Sequence, residues 1–259
     1  MIDLMRLLTE VTGLAQAALW GAALVFFRMG AMMALMPAFG EQIVPLRVRL
    51  ALTLAFATIV YPAVAPGLPD ISQGVARPVL AEVTAGLAFG IALRLMINAL
   101  QIAGTIAAQA TTLSQMVAGG GPEPQPAMTH VLVWAGLALA LALDLHVRIV
   151  ELAILSYQLI PAGTPPLAAD LSAWGLGRVS HAFRLGFSIA APFVIAALIY
   201  NLALGVINRA MPALMVSFVG APALTLGGLV LLALAAPLAL AVWLAAFNDL
   251  LANPMGLVP

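Results

Sequence analysis

Arg28 stands inside an apolar stretch that begins at Gly13, directly after Phe26 and Phe27. A guanidinium at membrane depth is expensive, so it faces a partner or water. The expected role is a paired or snorkelling structural arginine, with transport as the competing role. Glu82 and Arg94 pose the same question in a later apolar stretch. They lie more than three helical turns apart and cannot pair with each other within one helix. Asp144-Leu145-His146, with Arg148 and Glu151 close behind, is the densest polar cluster beside the apolar runs. A carboxylate and an imidazole there could relay a proton or supply two metal ligands. No third ligand follows at a recognisable spacing. The expected role is a polar break in which both side chains cap free backbone groups at a helix junction.

Other spacings speak of packing. Asn201, Gly205, Asn208 and Pro212 fall on one helical stripe, where amides and a glycine suit close helix contact and interhelical hydrogen bonds. Gly86 and Gly90 form a small-xxx-small pair of the same kind. Met29, Met32, Met33 and Met36 also share a face, as expected of core or lipid-facing packing. Catalytic motifs are missing. All ten basic residues are arginine, so a phosphate-binding Gly-x-x-x-x-Gly-Lys loop cannot be written. There is no His-Glu-x-x-His, and Gly186-Phe187-Ser188-Ile189-Ala190 lacks the second glycine of a nucleophile elbow. With no cysteine, thiol catalysis, disulfides and Fe–S ligation are excluded. The expectation is a chain without catalysis, metal or cofactor.

The elements that must carry these residues follow from composition. The 259 residues are 64% hydrophobic and only 8% charged, and ten acids balance ten arginines to a net charge of zero. A soluble domain of this length needs far more charge to wet its surface, and nucleic-acid binding has no basic patch to start from. Apolar runs extend over Gly13 to Met36, Leu46 to Ala65, Val79 to Gln109, Ala127 to Leu143, Ala182 to Ile207 and Ala213 to Phe247, with a shorter helix from Ile149 to Ile160. A membrane span takes roughly 20 apolar residues, so the third and sixth runs are too long for one straight crossing and too short for two. Runs such as Leu137 to Leu143 lack the polar alternation of a barrel strand, and their Leu and Ala favour helix. The fold expected is all-α: one polytopic membrane domain over residues 1–259, built of about six long apolar helices. Pro37, Pro62, Pro192, Pro212, Pro222 and Pro237 lie in or beside the runs and imply kinks. The start, Met1 to Glu10, has no basic region and no small-residue cleavage site, so no removable signal peptide is expected. Arginines are shared between the two sets of connections, which leaves orientation open.

Thr111 to Pro126 reads TTLSQMVAGGGPEPQP, and neither helix nor strand continues through three consecutive glycines and alternating prolines. Its first half, Leu113 to Ala118, is apolar enough to sit in a channel mouth. The alternative is a flexible surface connection.

In order along the chain come Phe27-Arg28, Pro37-Ala38-Phe39-Gly40, and Val44-Pro45-Leu46-Arg47-Val48-Arg49-Leu50. Glu82, Gly86, Gly90, Gly104, Gln109, Asp144-x-His146, Ser156, Pro161 and Gly163 follow, and then Ala191-Pro192, Asn201, Gly205, Arg209-Ala210, Pro212, Gly220 and Pro222. This ordered set resembles the FliR family of flagellar export-gate proteins, called SctT in virulence secretion systems, over nearly the whole chain. The resemblance implies a helical subunit that assembles with FliP-like and FliQ-like proteins, and with an FlhB-like one, into a channel for unfolded exported proteins. The location implied is the flagellar basal body in the bacterial inner membrane. It implies kinked hairpins packed in a spiral, which would account for the run lengths and prolines. It implies a channel plug at about Leu113 to Pro126, with Leu113, Met116, Val117, Gly119, Gly120 and Gly121 as its residues. Arg28, Pro37, Pro45, Arg49, Gly86, Gly90, Asn201, Gly205, Asn208, Arg209 and Pro212 are expected at subunit contacts. The alternatives are a virulence-system homologue, or a proton-coupled secondary transporter using Asp144, His146 or Glu82, for which no internal repeat is visible.

Overall fold

The computed structural model describes residues 2–41, 44–111, 127–210 and 216–256. Among them the chain is all helix and connection. The helices are α1 (Ile2–Leu35), α2 (Leu46–Val64), α3 (Ala76–Thr111), α4 (Ala127–Ala142), α5 (Leu145–Leu159), α6 (Ala168–Ala210) and α7 (Val216–Ala252), with single 3-10 turns at Ala65–Gly67 and Ile71–Gln73. Five are long and apolar enough to cross a membrane. The apolar runs all become helices, and α5 is the short seventh. The third and sixth runs each form one continuous helix, α3 of 36 residues and α7 of 37. At 1.5 Å per residue each is about 55 Å long, well beyond the roughly 30 Å of hydrocarbon in a bilayer. α1 begins at Ile2, and α6 begins at Ala168, ahead of the apolar run, because Leu, Ala and Arg propagate helix into polar surroundings. Pro62 and Pro192 sit inside α2 and α6 without ending either helix.

The chain divides into two compact units. One comprises Met1–Arg94, Asp144–Arg178 and Asp249–Pro259; the other comprises Leu95–Leu143 and Val179–Asn248. In the first, a Cβ on Gly21 would touch Tyr61 and Leu68, and one on Gly30 would meet Thr53, so α1 and α2 form an antiparallel pair. Gly86 faces Arg28 and Ala31 while Gly90 faces Met32 and Leu35, so α3 runs parallel to α1. Met29, Met32 and Met33 of α1, and Met36 just after it, are fully buried in this unit.

The turn between α1 and α2 explains its own sequence. Pro37 cannot continue the helix. Ala38 then takes a left-handed conformation at φ 66°. Gly40 N–H donates to Met36 O at 2.7 Å, and a Cβ there would stand 2.7–2.9 Å from the carbonyls of Met36, Ala34 and Met33. Only glycine closes this turn, which is why Ala38, costly in that conformation by about 1–2 kcal/mol, is tolerated beside it. Pro45 then supplies the extended N-cap of α2, and Arg49 donates to Glu41 O at 2.8 Å across the turn.

In the second unit, Gly104 closes on Thr129, and Gly136 on Leu100, so α3 and α4 are antiparallel. The indole of Trp243 is fully buried, stacks on Phe247 at 5.0 Å and donates to Met96 O at 2.8 Å. That bond ties α7 to α3.

Candidate functional site

Arg28 lies at the centre of the first unit, fully buried, and so does Glu82. Its Nε donates to Glu82 Oε2 at 2.7 Å and one terminal nitrogen to Glu82 Oε1 at 3.2 Å. The terminal nitrogens also donate to Ile160 O at 3.0 and 3.1 Å, and one reaches Ser156 Oγ at 3.2 Å. Ile160 is the C-cap of α5, where helix carbonyls lack internal partners and the dipole is negative. Glu82 Oε1 accepts in turn from the backbone N–H of Gly163, a residue at φ 70°. The ring of Tyr157 completes the cluster, 3.7 Å from the guanidinium carbon. Burial and the neighbouring Glu82 carboxylate push the Tyr157 hydroxyl well above its ordinary range, and that hydroxyl has no hydrogen-bond partner of good geometry. α1, α3, α5 and the connection to α6 thus meet on one planar, five-donor group. The arrangement binds backbone and carboxylate and leaves Glu82 no open face for a substrate.

The knot depends on close helix approach. A Cβ on Gly86 would collide with the carbonyl oxygen of Arg28 and stand 2.8 Å from Ala31 Cβ; one on Gly90 would lie 2.9 Å from Met32 O. The small-xxx-small pair is therefore filled by α1 of the same chain. Pro37, Pro45 and Arg49 likewise shape the α1–α2 turn within the chain. Arg94, too distant to pair with Glu82, makes its ion pair with Glu41.

A second anchor escaped sequence reasoning. Arg178 is buried, and one of its terminal nitrogens donates to the carbonyls of Pro254 at 3.0 Å and Gly256 at 2.8 Å. Trp174 Nε1 donates to Pro254 O at 2.9 Å, and the same indole lies edge-on to Phe89. Trp174 and Arg178 are one turn apart on α6, so one face of its first half binds the turn that follows α7. The available signal was that i, i+4 pair together with the Asn253-Pro254 stop.

The remaining expected residues are dispersed. Asp144 and His146 are both exposed. Asp144 does not cap α5 through its side chain, as the sequence had suggested; it makes the junction through its backbone, at φ 60° and ψ 39°. Asp is among the few residues that take this conformation readily. Asn201, Gly205 and Arg209 are exposed on α6, and nothing lies within 4 Å of a Cβ on Gly205. Asn208 lies in the same helix. Pro212 and the segment holding Leu113, Met116, Val117, Gly119, Gly120 and Gly121 fall outside the described residues. Large apolar side chains line the outer faces of α6 and α7, with Leu202 at 70% and Leu234 at 74% exposure.

Residues 19–250 match the family model for bacterial export proteins, family 1. The flagellar biosynthetic protein FliR of Caulobacter vibrioides is 36% identical, over 89% of this chain and 94% of that protein. FliR of Aquifex aeolicus is 30% identical over 83% of this chain and 84% of its own length. FliR of Escherichia coli is 26% identical, over 82% of each. With the all-helical apolar fold, and with likeness running through both compact units, the chain belongs to the bacterial export proteins, family 1.

Proposed function

We propose that this chain is a structural and gating subunit of the flagellar protein-export channel, acting without catalysis or cofactor as one membrane domain. The observation that carries the reading is the family match across residues 19–250, together with FliR relatives of which it covers 82–94%. The helices support it: their outer faces are apolar, while the buried charges of Arg28, Glu82 and Arg178 are engaged in helix-to-helix and helix-to-turn bonds. The partners are FliP-like and FliQ-like gate subunits and an FlhB-like one, the cargo is unfolded protein, and the site is the bacterial inner membrane at the flagellar basal body. Asn201, Gly205, Asn208, Arg209 and Pro212 form the contact stripe toward those partners. The segment Leu113 to Pro126 closes the channel, with its apolar part Leu113 to Ala118 filling it, Met116 as its seal and the glycines as hinge; this part rests on sequence and on the resemblance. The transporter alternative is disfavoured by Glu82, held by Arg28 and Gly163, and by the exposure of Asp144 and His146.

The test is genetic. In a flagellated host lacking its own copy, the chain should restore secretion of flagellar proteins into the medium, and Asp144→Asn with His146→Ala should restore it equally. Failure of the unaltered chain, present in the membrane at normal amount, would refute the export role. Failure of the double variant alone would revive a proton site.

A further inference from the structure

The first unit has an apolar outer band bounded at both ends by arginine. Arg49 donates to the backbone carbonyl of Glu41 and Arg94 pairs with its carboxylate, so both arginines stand at one level, beside the α1–α2 turn. Arg77 stands in the first turn of α3, about 25 Å from Arg94 at 1.5 Å per residue. Between these levels Glu82, buried against Arg28, is the one charged residue on α2 and α3. Leu50, Leu54 and Ile59 of α2 and Leu80, Leu87 and Ile91 of α3 are all exposed there. Thr58 and Thr84, the polar residues among them, donate to Ala55 O and Leu80 O of their own helices, each at 2.7 Å.

Such a surface asks nothing of its surroundings: its hydroxyls are satisfied within each helix, as hydrocarbon requires. Both helices are long and apolar enough to cross a membrane, and the height of the band approaches the roughly 30 Å of a bilayer's hydrocarbon core. The rims carry the complementary charge. Arg47, beside Arg49, and Arg77 at the other end are exposed, and neither has a hydrogen bond or ion pair among the described residues. Long arginine side chains reach past an apolar edge toward phosphate, and a bilayer presents phosphate at both levels. A wetted passage wall would leave six large apolar side chains in water. A partner helix would need a carboxylate at each end of the band, at that same spacing.

We infer that the outer faces of α2 and of the first half of α3 lie directly against phospholipid, with Arg47 and Arg77 bound to lipid phosphate in opposite leaflets. The inference rests on the membrane fold and not on the export role. It gives to lipid a surface distinct from the α6 stripe proposed for partner subunits. Arg28, packed against Gly86, and Glu82 then stand between the two leaflets, and their mutual neutralisation is what makes that depth tolerable.

The chain contains no cysteine, so single cysteines report position. Leu54→Cys and Leu87→Cys, each labelled with a small fluorophore in the purified complex, are reconstituted in phosphatidylcholine bilayers. The expected result is strong quenching by nitroxide on the lipid acyl chains and none by aqueous iodide. Leu87→Cys should be quenched more by a nitroxide deep in the chain than by one near the headgroup. Quenching by iodide would assign the faces to a water-filled passage, and quenching by neither agent would show a protein cover; each overturns the inference. In parallel, Arg47→Gln and Arg77→Gln complexes are extracted from native membranes and their retained phosphatidylglycerol is measured by mass spectrometry. Each should retain less than the unaltered complex, while Arg47→Lys and Arg77→Lys keep it. Retention unchanged in both glutamine variants overturns the phosphate assignment. If a glutamine variant does not assemble, the two cysteine variants, with every arginine intact, decide. Recovery of the unaltered chain without other gate subunits would refute the export role alone, since the same quenching can be read on the chain by itself.

Discussion

Arg28 and Glu82 are 54 residues apart in sequence and 2.7 Å apart in the fold, with neither side chain exposed. The pair lies inside one chain, so its first consequence is for folding of this subunit and only then for assembly. Removing one partner of a buried ion pair strands the other charge and typically costs about 3–5 kcal/mol, whereas replacing both by apolar groups costs far less. Glu82→Ala should therefore lower the thermal midpoint of the purified protein sharply, and Arg28→Met with Glu82→Leu should recover much of the loss. A double variant as unstable as the sum of the singles would show that the two side chains act independently.

Arg28→Lys tests the fork rather than the charge. Lysine keeps the charge, but as a compact ammonium it cannot span Glu82, Ser156 and Ile160 O together. Each lost hydrogen bond to a charged group is worth about 1.5–3 kcal/mol, so the variant should be destabilised and assemble poorly. Normal stability with abnormal export would instead assign Arg28 to transport.

Gly86 and Gly205 should separate folding from assembly. Gly86→Ala drives a methyl into Arg28 O and should destabilise the isolated subunit by about 1–3 kcal/mol. Gly205→Leu meets nothing within the chain and should leave subunit stability intact while lowering the yield of complex. Gly13→Ala, also in open space, is the control and should be neutral or slightly stabilising. Thermal melts of the subunit and the yield of co-purified complex read both effects.

How much of this was legible depends on what kind of partner each residue uses. The helices were readable because Leu and Ala runs specify them locally, and the single long helices α3 and α7 explain run lengths that fitted neither one span nor two. Arg28 was readable as a residue needing a partner, but Glu82 as that partner was not, since helical spacing says nothing about a residue on another helix. The small-xxx-small spacing of Gly86 and Gly90 gives the depth of a groove and not the identity of the helix that fills it. Arg178 was missed because it binds the carbonyls of residues 254 and 256, groups that every sequence supplies. Asp144 misled because its side chain suggested a cap while its backbone made the turn.

The hydroxyl of Tyr157 gives a pH signature. Its ionisation is pushed up in the folded chain from an ordinary value of 10.0, by burial first and by Glu82 second. A folded value above the unfolded one means that stability is complete below pH about 10 and falls as pH rises past it. Tyr157→Phe keeps the ring against Arg28 and should blunt that alkaline loss with little cost at neutral pH. Equal alkaline melting curves for the two proteins would show that Tyr157 does not govern it.

Trp174 and Arg178 should hold the turn that follows α7. Trp174→Phe removes the donor to Pro254 O, and Arg178→Met removes those to Pro254 and Gly256. Both should speed proteolytic cleavage within the turn that follows α7, Arg178→Met more so, because two carbonyls lose a charged donor. Unchanged digestion would show that the turn is held by α7 alone.

The central claim is that this chain works as one subunit of a multi-protein export gate. The mass of the complex recovered from native membranes in mild detergent with a tagged copy tests it most directly. The account predicts a single hetero-oligomer containing other small helical membrane proteins of the flagellar export apparatus, lost when Gly205 is replaced by Leu. A chain recovered alone, or only with copies of itself, from membranes that assemble flagella would contradict it.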